Sequence, residues 1–242
     1  MKEPLSIGIV GGMSPESTVT YYQHIVRRHK QKFGNHQYPR IVIASVSFQQ
    51  YIEWQHQGDW GSIARGLEEE FQAVALARAN FAILATNTMH KILPNIRCSI
   101  PILTVFDAVA SHARERGFKR VGLTGTKFTM SDGFYKERLE QCGLSVCLPS
   151  QAEQEAIHNI IYSELIEGRL SPESVDTFAR ILHNFLSQGT EAVLLGCTEL
   201  EMLTRNKNIS VPLLDSTQLH AEMAWRIAVH IEPLPSSTPT LH

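Results

Sequence analysis

Two short segments place chemically capable side chains directly after apolar runs: TNTMH, Thr86 to His90, follows FAILA, and GCTEL, Gly196 to Leu200, follows AVLL. A thiol at a strand end, as at Cys197, faces the N-terminal end of the following helix, an environment that stabilises thiolate and suits base or nucleophile chemistry. Cys98, Cys142 and Cys147 lack that context and read as small packing residues. Asn87 and Thr88 sit at a helix start, where free N–H groups and the helix dipole favour a carboxylate; plain capping explains them equally. Thr198 and Glu199 are N-cap candidates, or they present a hydroxyl, N–H groups and a carboxylate to a ligand's ammonium or carboxylate. His90 reads as a helical histidine without catalytic work. The loop GGMSPEST, Gly11 to Thr18, lacks the G-x-G-x-x-G and G-K-[ST] patterns of nucleotide sites. Its Gly and Ser-Pro signals fit a strand-to-helix turn as well as a ligand loop.

The elements that must position these loops alternate as β-branched runs and stretches of helical period, the pattern of a parallel sheet flanked by helices. The predicted strands are Ser6–Val10, Arg40–Val46, Phe81–Ala85, Pro101–Val105, Arg120–Thr124, Ala192–Leu195 and Val211–Leu214. Helices are predicted near 17–33, 61–79, 107–117, 132–141, 151–167, 172–188 and 216–231, and the Pro/Ser/Thr-rich C-terminus predicts a loose tail.

The chain also echoes itself. GIVGGM at Gly8–Met13 resembles GLTGTK at Gly122–Lys127, and FAILATNT resembles EAVLLGCTE. The separations from Gly11 to Thr86 and from Gly125 to Cys197, 75 and 72 residues, nearly agree. A third pair is SIPILTVFDAVASHA and SVPLLDSTQLHA, with Asp107 five residues before His112 and Asp215 five before His220; capping is the favoured reading for both aspartates. Three matched elements in one order predict an α/β fold of two pseudo-symmetric halves, each a mostly parallel sheet flanked by helices. The boundaries are 1–105 plus 216–242 for the first half and 106–215 for the second, with the active site in the cleft between them. In open parallel sheets ligands bind beyond the carboxyl ends of the strands. Thr86 and Cys197 then approach one ligand from opposite sides.

Composition excludes other classes. With 22 basic and 24 acidic side chains the chain has no basic field for nucleic acid or anionic membrane. No run reaches the roughly 18 apolar residues of a membrane span. Four unclustered cysteines in 242 residues point to a reducing compartment, hence the cytoplasm. The eleven histidines form no metal-binding spacing, so no metal is expected.

GGMSPEST, TNTMH, Gly125–Thr126, GCTEL and DSTQLHA together resemble the cofactor-independent aspartate/glutamate racemase family, from Ile7 to about Ala228. The resemblance is strongest to its broad-specificity or L-aspartate/L-glutamate-specific enterobacterial members, which share the first-motif threonine and a stretch like SVSFQQYIEWQ. It implies an amino-acid racemase that uses no cofactor and forms a homodimer. Two catalytic groups, usually both cysteine, remove and replace the α-proton on opposite faces of the substrate; here they are Thr86 and Cys197. Cys197 thiolate would take the proton from the L form and Thr86 would reprotonate the other face. The implied substrate contacts are Met13, Gln55, Asn87, Thr88, Thr126, Thr198 and Glu199. Aspartate racemases often carry an arginine and a lysine for the side-chain carboxylate; Ser47–Gln50 and Ala156–His158 supply neither, which favours a broader substrate range. Two other functions remain open: a single-cysteine decarboxylase or cis-trans isomerase of dicarboxylates, and a non-catalytic amino-acid-binding protein.

Overall fold

The computed structural model describes residues 2–204 and 211–234. Of the tail expected over EPLPSSTPTLH, Glu232–His242, residues 235–242 lie outside them. The chain divides into two compact units, Met1–Val105 with His220–His242, and Phe106–Leu219.

In the first unit, β1 (Ile7–Gly11), α1 (Pro15–Phe33), β2 (Ile41–Ser45), α2 (Phe48–Gln57), α3 (Trp60–Leu76), β3 (Phe81–Leu84) and β4 (Ile102–Leu103) build a parallel sheet of order β2-β1-β3-β4. β1 and β3 are buried along their whole length, as central strands covered on both faces must be. Side chains alternate between faces. Ile7, Ile9, Phe81 and Ile83 share one apolar cluster with Tyr21 and Ile25 of α1, and Val10, Ala82 and Leu84 share another with Leu67, Phe71 and Val74 of α3.

The second unit repeats this order. It contains α4 (Val105–Glu115, whose first residue still belongs to the first unit), β5 (Arg120–Thr124), α5 (Lys127–Ser131), α6 (Phe134–Gln141), β6 (Ser145–Cys147), α7 (Gln151–Ile160), α8 (Pro172–Ser187), β7 (Ala192–Leu195) and β8 (Leu213–Asp215). α9 (Ser216–Ala228) follows and returns the chain to the first unit. The sheet is again parallel, ordered β6-β5-β7-β8. The middle strands match in detail: a Cβ on Gly8 would lie 2.8 Å from Val74 Cγ2, and one on Gly122 would lie 2.8 Å from Phe185 Cδ1. Each glycine therefore lets a helix sit directly on the central strand.

Several boundaries differ from the sequence expectation. The strand expected over Pro101–Val105 shrinks to two residues because Val105 already starts α4. The helix expected over 151–167 is α7 followed by a π-helical segment, Ile161–Leu165. Three elements, α2, α5 and β6, were not expected at all. Asp215 caps as expected, accepting from Gln218 N–H at 3.0 Å, whereas Asp107 lies inside the first turn of α4. Among the described residues no helix is long and apolar enough to cross a membrane, and no group of His, Cys, Asp and Glu is arranged to hold a metal ion.

Candidate active site

In the first unit the loop after β1 is built by glycine and by capping. Gly12 has φ of +93°, and a Cβ there would come within 2.5 Å of the Val46 backbone nitrogen, so glycine is required where the β1 and β2 ends close. Its N–H donates to Thr18 Oγ1 at 2.8 Å, and that hydroxyl donates to the Ser14 carbonyl at 3.1 Å. Ser14 caps α1 by accepting from Ser17 N–H at 3.3 Å. The same tetrapeptide, SPES, starts α8, where Ser171 accepts from Ser174 N–H at 3.1 Å. Helix initiation thus accounts for Ser14–Ser17 without a ligand. The Met13 side chain is buried in the apolar cluster that holds Tyr51 and Met89. Gln55 is partly buried on α2, and its side chain makes no hydrogen bond among the described residues.

Thr86 stands immediately beyond β3. Ala85 N–H donates to the Val10 carbonyl at 2.8 Å, the last bond between β1 and β3, and a 3₁₀ segment, Thr88–Asn95, begins two residues after Thr86. Thr86, Asn87 and Thr88 are each partly exposed, and the Thr86 and Thr88 hydroxyls make no hydrogen bond among the described residues. Asn87 occupies the N-cap position with no side-chain capping bond, so the capping explanation for this motif does not hold.

The second unit reproduces the arrangement at Cys197. Gly196 N–H donates to the Thr124 carbonyl at 2.8 Å, as Ala85 does to Val10. Val10 pairs with Leu84 and Thr124 with Leu195, which makes Thr86 and Cys197 the same position in two sheets of the same order. Thr126 caps α5, accepting from Thr129 N–H at 3.3 Å. Cys197, Thr198 and Glu199 converge: Cys197 Sγ and Thr198 Oγ1 both donate to Glu199 Oε2, each at 2.8 Å.

That convergence corrects the expected thiolate. Burial first, and then the Glu199 carboxylate beside it, push the Cys197 thiol well above the ordinary cysteine range. The following 3₁₀ segment, Thr198–Leu203, is too short to reverse this. The resting group is therefore a thiol held by a carboxylate. Substituting Glu199→Gln removes the negative charge that raises the thiol and leaves only a neutral acceptor, so the pH profile of Cys197 alkylation by iodoacetamide, read by peptide mass spectrometry, should move to lower pH. An unchanged profile would show that Glu199 does not govern the thiol.

Other side chains around Cys197 left no sequence signal. Tyr162, in the π-helical segment, is half-exposed; burial, then the Cys197 and Glu199 charges, push its hydroxyl upward. Its ring lies 4.6 Å from that of His158, whose Nδ1 accepts from Lys127 N–H at 3.4 Å. Lys127 itself is paired with Glu155 at 3.7 Å. A π-helical turn shifts which residues share a face, so regular helical period could not have brought Tyr162 here.

All four cysteines are free thiols. A profile of the Asp/Glu/Hydantoin racemase family matches residues 10–224, an interval that contains both strand-end motifs and all of the repeat but its first two residues. The chain belongs to this family. Among racemase relatives, the broad specificity amino-acid racemase RacX of Bacillus subtilis is 22% identical, covering 87% of this chain and 92% of its own. Among solved structures, a Yersinia pestis protein described as a candidate Asp/Glu racemase is 36% identical, with a TM-score of 0.89 over 93% of this chain and 99% of that one. PH1733, an aspartate racemase homologue from Pyrococcus horikoshii, is 33% identical, with a TM-score of 0.83 and the same coverage. The racemase assignment makes the chain an isomerase, and a racemase must treat the two faces of a stereocentre differently.

Proposed function

We propose that this racemase interconverts L- and D-amino acids without a cofactor, with Cys197 and Thr86 acting on opposite faces of the α-carbon. The observation that carries the reading is the equivalence of the two positions, each the first residue after the last hydrogen bond between the two central strands of its sheet. Inversion needs an acid on one face while a base acts on the other, because returning the proton to the same face restores the starting enantiomer.

In the forward direction the Cys197 proton passes to Glu199, and the thiolate removes the α-proton of the L form. The substrate ammonium, placed beside Glu199, offsets the burial and like-charge costs that hold the thiol protonated. Thr86 donates its hydroxyl proton to the opposite face, and Thr86 is reprotonated through water by the proton left on Glu199. One proton leaves the carbon and one arrives. Backbone N–H groups near Asn87, Thr88 and Thr198 are fixed donors for the substrate carboxylate, which stabilise the carbanion as charge spreads onto it. Thr126, Gln55 and Met13 line the remainder of the site in this reading. The surroundings of Cys197 contain Glu199 and Tyr162, and the nearby Lys127 is paired with Glu155, so we take a broad or neutral side-chain range over a strictly acidic one.

The test is chiral chromatography of a panel of L- and D-amino acids after incubation, with Cys197→Ser as control. Racemisation of at least one amino acid, absent in the control, is expected. Carbon dioxide release or cis-trans conversion of a dicarboxylate without racemisation would replace this reading with a single-thiol one.

A further inference from the structure

We propose that His90 is a positioning residue that fixes the backbone of Thr86; the inference rests on the racemase reading above for what Thr86 does. His90 lies in the 3₁₀ segment after β3 and is 2% exposed. Its two ring nitrogens hold two different parts of the first unit. Val105 N–H donates to Nε2 at 3.0 Å, so Nε2 carries a lone pair, and Nδ1 lies 2.7 Å from the Thr86 carbonyl, which can only accept. The ring is therefore neutral and protonated on Nδ1.

A second buried histidine supports it with the opposite tautomer. His220, fully buried, places Nε2 2.9 Å from the Leu103 carbonyl, so Nε2 carries the proton, and Nδ1 accepts from the Tyr21 hydroxyl at 3.0 Å. The two rings meet edge to face with centroids 5.7 Å apart. His220 also joins α9 to β4, and Tyr21 joins α1 to the same point. The Thr86 carbonyl is thereby tied, through one ring, to the residues just past β4 and, through ring packing, to two helices. Thr86 follows the last bond between β1 and β3 and precedes the 3₁₀ segment, so His90 is the side chain that anchors it. A hydroxyl that must reach one face of a carbon needs such an anchor, since displacement by about 1 Å costs about 100-fold in rate.

Two variants of the full chain separate the bonds. His90→Asn keeps an amide donor near the Nδ1 position and loses the acceptor for Val105; His90→Gln keeps an acceptor near the Nε2 position and loses the donor to Thr86. Each is followed from an L-amino acid in heavy water, by α-deuterium exchange without inversion and by inversion. His90→Gln should lower the ratio of inversion to exchange by at least about tenfold, and His90→Asn should keep it within about threefold. Equal loss of exchange and inversion in both variants would overturn the proposal, because a merely structural role slows both together. Should both variants fail to fold, nitrogen-15 NMR of the wild-type imidazoles decides: His90 protonated on Nδ1 and His220 on Nε2 is expected, and His90 protonated on Nε2 overturns the anchor. Wild-type protein that exchanges and inverts no amino acid in the panel refutes the racemase reading and this proposal with it, an outcome distinct from a loss confined to the variants.

Discussion

Cys197→Ala should lower both racemisation and α-deuterium exchange of the L form by about 1,000-fold or more, toward the limit set by loss of a positioned base. The thiol occupies the strand end with its S–H donating to Glu199, and no other cysteine can replace it: Cys147 is buried, and burial raises the thiols of Cys98 and Cys142 without a carboxylate hydrogen bond to draw off the proton. Cys197→Ser keeps the hydrogen bond to Glu199 but raises the acid far beyond a thiol, so it should be nearly as inactive. Because burial and Glu199 hold the wild-type thiol above its ordinary range, turnover of the L form should rise with pH through neutrality wherever proton loss from Cys197 limits the rate. Chiral chromatography combined with proton NMR of the α-position measures both quantities. Full exchange activity in Cys197→Ala would remove the thiol from the mechanism.

Thr86→Ala should separate the two steps that Cys197→Ala loses together. Inversion should fall by about 100-fold with the donor on the second face, while exchange of the L form without inversion should stay within severalfold of wild type. Thr86→Cys should do the reverse and raise inversion. The gain must be equal in kcat/KM for both directions, since the two free enantiomers have equal free energy and the equilibrium constant is one. Any preference for the L form is thus confined to kcat and KM taken separately, and to exchange that does not invert. Thr86 is partly exposed and its hydroxyl makes no hydrogen bond among the described residues, so either substitution removes little besides the proton donor.

Much of the scaffold is legible in the amino-acid sequence because central parallel strands are buried on both faces and appear as short, mostly apolar runs. Arg120–Thr124 and Ala192–Leu195 are read at their observed limits for that reason. β6 escapes because three residues give no period, and α2 because Phe48, Tyr51 and Trp54, three apart, lie in a half-exposed segment with too few apolar neighbours to mark a face. The internal echo locates both strand-end loops, since the same local fold needs the same residues twice, as Gly8 and Gly122 illustrate.

The electrostatics of the site are not legible in this way. Position at a helix start favours thiolate, yet desolvation and a carboxylate two residues further on decide against it, and burial is a tertiary quantity. His90 looks idle for a similar reason. Its partners are the Thr86 carbonyl and the Val105 N–H fifteen residues away, two backbone groups that no residue type announces.

The claim that two unlike groups serve opposite faces is tested most directly by incubating each enantiomer of a turned-over amino acid with the wild-type protein in heavy water. Deuterium incorporated with and without inversion is then followed at early times. Starting from the L form, exchange without inversion should exceed inversion, because the proton taken by Cys197 exchanges with solvent deuterium, which is returned to the same face before Thr86 donates. From the D form, nearly every exchange event should be an inversion. Equal exchange without inversion from both enantiomers would contradict the account.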